Sequence, residues 1–324
     1  MTMIIIINKM KLSNELLKER GNLSDLSDSF ERATAVIRGQ NQDYFLAVSD
    51  GIMYIRQDGT CLKVCTEKVK ILDLTCNGDV IAGVGHGGVF LISLDYGLTW
   101  SRKELPTNVS VWSISMNSLH TIFTHGHSQI FLSNDYGDSW IVYSPFSAYG
   151  NNQPSIRSIC IDKKYLYVGT KVHHQYGGIW CIDIEKHALK RLKYDTRMIA
   201  SILKINNTLI CAIGTCKNDK GSIEYVSLSN STSTPLEWIL CHDDAKRSCY
   251  LDLSENNGYI YATTTQDNAG ISQVSRIFLN EQKMTPCAKI HGHGWRISNL
   301  ESNFLVAGLH ASLMSSSDLI LNTH

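Results

Sequence analysis

Histidine is the residue type in this sequence with the strongest claim to chemistry. Six of the twelve sit in short breaks between apolar runs: His86 in GVGHGG, His125 and His127 in THGHS, His173 and His174 in KVHHQYGG, and His310 in GLHAS. His242 in CHDDAK and His291 and His293 in HGHGWR occupy a second set of breaks. Neutral imidazoles supplied by several loops suit Zn, Cu, Fe or Ni rather than the oxygen-loving Ca or Mg. The candidate ligands of such a transition metal are His86, His125, His173, His174, His293 and His310. Tyr176, Asp50, Asp243 and Asp244 are candidate acid/base groups or hydrogen-bond partners of the ligands. A basic residue also opens many of the repeated segments: Arg32, Lys70, Arg157, Arg197, Arg247 and Arg296, with Trp112 at the corresponding place in one of them. Arg157, Arg197, Arg247 and Arg296, with Trp112, are the candidate substrate-binding set, because converging guanidinium forks hold a carboxylate or phosphate. Salt bridges with Glu31, Asp195 and Asp244 are the ordinary alternative for these cations.

Such residues act together only if the fold brings their loops to one place. Two β-like runs separated by a Gly/His break recur along the chain, as in YFLAVSDGIMYIRQDG from 44, DVIAGVGHGGVFLIS from 79 and YLYVGTKVHHQYGGIWCIDI from 165. Each unit opens with a further β-rich segment: RATAVI, VKILDLT, VSVWSIS, IRSICI, RMIASIL, CYLDLS and WRISNL. These seven units of roughly forty residues predict an all-β, seven-bladed β-propeller of four-stranded antiparallel blades, with strands A to D running outward. The last unit ends at LILNTH before a fourth strand, and the β-branched MIIIIN at Met3 to Asn8 has the composition to supply it. The predicted organisation is therefore residues 1–11 as a closing strand, 12–30 as a helical or irregular linker, and 31–324 as the propeller, one domain with 1–11.

One phrase occurs twice: SLDYGLTW at 93–100 and SNDYGDSW at 133–140. It resembles the Asp-box, or BNR repeat, of sialidase-like β-propellers. The resemblance implies that the phrase builds the turn between strands C and D. There the Asp ties up turn amides, the Gly allows positive φ and the Trp packs between sheets. Asp95, Gly97, Trp100, Asp135, Gly137 and Trp140 are thus read as turn-building residues. Sialidase activity is not implied, because the Phe-Arg-Ile-Pro motif of that enzyme class is absent. In an antiparallel blade the A–B and C–D turns share one face, and the B–C and D–A connections share the other. Nine of the twelve histidines then belong to the face opposite the Asp-boxes, around the mouth of the central channel.

Bulk composition narrows the partners. Thirty Lys and Arg balance thirty Asp and Glu, so no global field steers the chain toward nucleic acid or a membrane. The apolar start MTMIIIINKM is too short to span a bilayer and lacks a cleavage signal, so a cytoplasmic location is expected. Ten cysteines, spread through strand-like runs, are expected as free buried thiols; Cys61 and Cys65 lack a second pair for zinc. The functional expectation is a metal-dependent enzyme (lyase, isomerase, oxygenase or hydrolase) acting on a small molecule, anionic if the arginines bind it, at the histidine-rich mouth. The alternative is a non-catalytic propeller scaffold that binds a protein partner, similar in repeat type to photosystem assembly factors with Asp-box-like blades.

Overall fold

The computed structural model describes residues 33–307, apart from 41–42, 49, 57–59, 118–120, 163, 172–176, 196, 215–220, 229–235, 244–249, 257, 265–270, 292–295 and 301–302. Its architecture is all-β. Blade 1 holds strands Ala35–Arg38, Tyr44–Val48, Gly51–Ile55 and Cys61–Cys65, and blade 2 holds Ile71–Asn77, Val80–Gly85, Val89–Ser93 and Ser101–Glu104. Blade 3 follows with Ser113–Met116, Ile122–Gly126, Gln129–Ser133 and Ile141–Tyr143, and blade 4 with Ser155–Asp162, Tyr165–Lys171, Gly178–Asp183 and Ala188–Tyr194. Blade 5 is Met198–Ile205, Thr208–Gly214, Ser222–Ser227 and Ile239–Asp243; blade 6 is Tyr250–Asn256, Tyr259–Thr264, Ile271–Phe278 and Lys283–His291. Within every blade the strands pair in chain order, A to D, all antiparallel.

The expected seven four-stranded blades are corrected to six. The last repeat contributes a two-stranded sheet, Arg296–Leu300 paired with Asn303–Ala307. Repeat counting failed for a simple reason. The most regular sequence signal is the A–B hairpin, and this hairpin occurs seven times although only six of them are extended by strands C and D among the described residues. Each strand A touches the strand A of the next blade, and Arg296–Leu300 touches those of blades 6 and 1, so the inner ring closes. The predicted closing strand at Met3 to Asn8 and the linker at 12–30 lie outside the described residues.

The core sits between blades rather than within any one of them. Strand B of blade 2, VIAGVG, is buried along its whole length because its two faces serve two neighbours. Ile81 faces blade 1, packing with Phe45, Ala47 and Ile52. Val80, Ala82 and Val84 face blade 3, packing with Val111, Ile114 and Phe131. The side-chain period of two along a strand makes this division automatic. The same two-blade composition recurs between blades 3 and 4, 4 and 5, and 5 and 6. Strand D of blade 2, SRKE, is mostly exposed, as befits an outer strand. The eight described cysteines are all free, three of them buried and five half-buried. Burial pushes the Cys160 and Cys241 thiols up to about 11, which makes them poor nucleophiles.

A repeated irregularity shapes the inner ring. In blades 2, 4, 5 and 6 the A–B ladder slips once, leaving Leu72, Arg157, Ala200 and Leu251 as the extra residue of a β-bulge. A polar residue follows each bulge: Asp73, Ser158, Ser201 and Asp252. The bulge re-aims these side chains. Asp73 accepts a hydrogen bond from the Ile114 amide of blade 3 at 3.0 Å. Ser201 donates to Asp252 at 3.0 Å and accepts from the Leu253 amide at 3.3 Å, both in blade 6. Thr34 donates to the Ile71 carbonyl in the same sense.

Candidate functional site

The two repeated phrases, 93–100 and 133–140, fold into C–D turns with one hydrogen-bond pattern. Ser93 donates to Asp95 at 2.8 Å and accepts from the Gly97 amide at 2.7 Å, while Asp95 accepts from the Thr99 amide at 2.8 Å. Ser133, Asp135, Gly137 and Ser139 repeat these contacts at 2.8, 2.7 and 2.9 Å. Hydrogen bonds from the Ser139 hydroxyl and amide hold the Asp135 carboxyl down to about 2. Tyr96 and Gly97 both have positive φ, 58° and 85°. A Cβ on Gly97 would stand 2.8 Å from the Phe45 ring, so the turn is pressed against the preceding blade. Trp140 completes the arrangement in blade 3, edge-on to Phe90 with centroids 5.1 Å apart.

Of the six candidate metal ligands, His86 and His125 lie among the described residues. His86 opens the B–C turn of blade 2, exposed, with Nδ1 2.6 Å from the Ser110 hydroxyl and its ring 6.3 Å from that of Trp112. His125 is a strand residue rather than a loop residue. It is the fourth position of Ile122–Gly126, fully buried, and its backbone carbonyl accepts from the Trp112 amide at 3.2 Å. The strand runs on through His125 and Gly126, and the turn falls at His127, whose φ is 51°. His173, His174, His293, His310, Tyr176, Asp244 and Arg247 lie outside the described residues. Among the described residues no three His, Cys, Asp or Glu side chains gather as a ligand group. Asp50, in the B–C turn of blade 1, is paired with Lys63. Asp243 pairs in register with Ser222, and Arg296 with Ala307.

The arginines do not share one register. Arg157 is the bulge residue of blade 4 and corresponds to Ala200 of blade 5. Arg197 stands three positions earlier, in the connection before strand A. Its guanidinium is engaged by the chain's own acids. Nε is 3.0 Å from Asp195 Oδ1, and Nη2 is 2.9 Å from Asp195 Oδ2 and 3.0 Å from Glu224 Oε1. Lys193 completes the group, 2.7 Å from Glu224 and 3.6 Å from Asp195. Burial works to raise the Asp195 carboxyl, but the hydrogen bonds and charge of Arg197, with Lys193 behind them, outweigh it and hold that carboxyl below the usual range. Two cations and two anions thus neutralise one another at the seam of blades 4 and 5. Glu224 was not singled out from sequence, since in SIEYVS it reads as an ordinary outward residue of a strand.

Exposed apolar side chains are distributed differently. Leu94, Leu98, Ile141, Val142, Tyr194 and Leu240 are 43–83% exposed, and each lies in a C–D turn or an outermost strand D, whereas Tyr259, 44% exposed, begins strand B of blade 6. A signal for two of them was present. The variable positions of the repeated phrase are Leu94 and Leu98 in blade 2 but Asn134 and Asp138 in blade 3. The turn itself does not need leucine there.

No family model matches the chain. Over 281 residues it is 36% identical to the uncharacterized protein YkuO of Bacillus subtilis (strain 168), covering 86% of this chain and 93% of that one. The structure of YCF48 from Cyanidioschyzon merolae superposes with a TM-score of 0.64 at 14% identity, over 89% of this chain and 95% of that one. YCF48 bound to D1 peptide superposes with a TM-score of 0.61 at 12% identity, over 86% and 90%. Likeness at such low identity establishes the β-propeller fold. No helix among the described residues is long and apolar enough to cross a membrane.

Proposed function

This chain belongs to the family of Bacillus subtilis YkuO, and from that premise we propose that it is a non-catalytic propeller scaffold that docks a protein partner. The observation that carries the reading is the placement of the exposed apolar side chains on the outer turns and strands, Leu98 at 83% and Ile141 at 58% among them. Large apolar groups held in water on a rigid rim are the usual raw material of a protein interface. The mouth face supports the same reading from the other side, because Arg197 and Asp195 already satisfy each other there. A solved propeller of the same fold, YCF48, holds a peptide. The Asp-box turns serve here as rigid supports that present Leu94 and Leu98.

In-cell cross-linking followed by mass spectrometry tests the proposal. A single partner should be recovered with the wild-type chain and lost with Leu98→Glu/Ile141→Glu, while the melting temperature is unchanged. Stoichiometric bound transition metal in protein purified without a tag, lost on His86→Ala, would overturn the scaffold reading in favour of a metal-dependent enzyme.

A further inference from the structure

The outer strand of blade 4 is unlike the others. Ala188–Tyr194 reads ALKRLKY, and the turn before it adds Lys186 and His187. Residues 185–194 hold four cations, Lys186, Lys190, Arg191 and Lys193, against one carboxylate, Glu185. Lys193 is turned to Glu224, which leaves Lys186, Lys190 and Arg191 exposed, Lys190 and Arg191 on opposite faces of the strand. The Arg191 guanidinium is held 5.3 Å from the ring centres of both Trp180 and Tyr194, so its charge is fixed in place rather than free to sweep through solvent. Tyr194 itself is 53% exposed.

This strand ends its sheet, so among the described residues no further strand pairs with its outer edge. The edge is bracketed. At one end the Tyr143 hydroxyl of blade 3 donates to the His187 carbonyl at 3.3 Å, and at the other Trp238 Nε1 of blade 5 donates to the Leu192 carbonyl at 3.3 Å. Ala188–Arg191 lies between these two contacts. Beyond Tyr143, blade 3 presents Ile141 and Val142, 58% and 43% exposed.

We infer that the edge of Ala188–Arg191 is the docking site for an acidic, extended segment of the partner protein, which adds to blade 4 as a fifth strand. The inference rests on the scaffold reading and names the chemistry of its partner. Backbone pairing along the open edge supplies affinity without reading sequence. Lys186, Lys190 and Arg191 set the required sign, and Ile141 and Val142 receive an apolar residue flanking the acidic run. The same charges oppose pairing of this edge with a second copy of this chain. Two such strands side by side would oppose lysine to lysine. An acidic strand is the complement that the edge permits.

The test uses the full chain and a fluorescein-labelled peptide that alternates glutamate with valine, read by fluorescence anisotropy. Binding should weaken roughly ten-fold or more in Lys190→Glu/Arg191→Glu, and in Lys186→Glu/Lys190→Glu, which leaves the Arg191 stack untouched. Methylating alternate peptide amides should abolish it, since the ladder is then lost. Equal binding of a peptide with lysine in place of glutamate, indifference to amide methylation, or tighter binding of single-stranded DNA of the same length would each overturn the inference. A cross-linked partner that persists in Lys190→Glu/Arg191→Glu but is lost in Leu98→Glu/Ile141→Glu would overturn this site alone and leave the scaffold reading standing.

Discussion

Replacing Arg197 by methionine keeps most of the packing volume at the seam of blades 4 and 5 and removes one charge. Asp195 and Glu224 then share Lys193 as their remaining cation, 3.6 and 2.7 Å away. Removing one partner of a fully buried ion pair costs about 3–5 kcal/mol. The Arg197 side chain is 24% exposed, and the surviving lysine offsets part of the loss, so about 2–3 kcal/mol is expected here. With a urea dependence of about 3 kcal/mol per molar for a chain of this size, the unfolding midpoint should fall by roughly 0.7–1 M. The deficit must also depend on pH. In the wild type the Asp195 carboxyl lies below its ordinary value, so its contribution is present above about pH 4 and is lost as pH falls through the folded value. In the variant the guanidinium is gone while the amide of residue 197 and Lys193 remain, so this carboxyl lies higher than in the wild type. The gap between the two proteins should therefore open as pH rises through the wild-type folded value and be larger at about pH 7 than at about pH 3. Urea melts followed by tryptophan fluorescence at both pH values measure it. A variant within about 0.5 kcal/mol of wild type at neutral pH, or a deficit that does not change with pH, would refute the assignment of Arg197 as a clamp between blades.

Gly97→Ala and Gly137→Ala should each destabilise by about 2–4 kcal/mol, since positive φ and overpacking act together. The added Cβ would lie 2.8 Å from Phe45 and 2.4 Å from Phe90, whereas Gly87→Ala, at positive φ with nothing within 4 Å, should cost only about 1–2 kcal/mol by the same melts. NMR titration of the side-chain carboxyls should place Asp135 at about 2 in the folded protein, and Ser139→Ala should move it up toward the ordinary carboxylate range. Ser201→Ala should cost about 1–2 kcal/mol, because it strips Asp252 of a donor and the Leu253 amide of an acceptor.

Much of the architecture is written locally. The A–B hairpins are legible because each strand obeys a period of two and each break carries a turn residue, as in VIAGVGHGGVFLIS. The turns of the repeated phrase are legible down to their hydrogen bonds, since Ser93, Asp95, Gly97 and Thr99 meet within seven residues and need no distant partner. The candidate site was far less legible. His125 reads as a loop residue because a Gly follows it, yet its strand continues and the ring is buried in the protein. Arg157 and Arg197 both read as the opening residue of a strand, but the bulges show them three positions out of step.

What the sequence determined by itself is the repeating hairpin, the turn chemistry of the two phrases and the inside–outside alternation, all of which are set within about ten residues of chain. Tertiary structure alone decided how many four-stranded blades close the ring, which cations are neutralised and which edge remains open. Those outcomes depend on pairs such as Arg197 with Glu224 and Tyr143 with His187, tens of residues apart, brought together only when neighbouring blades pack.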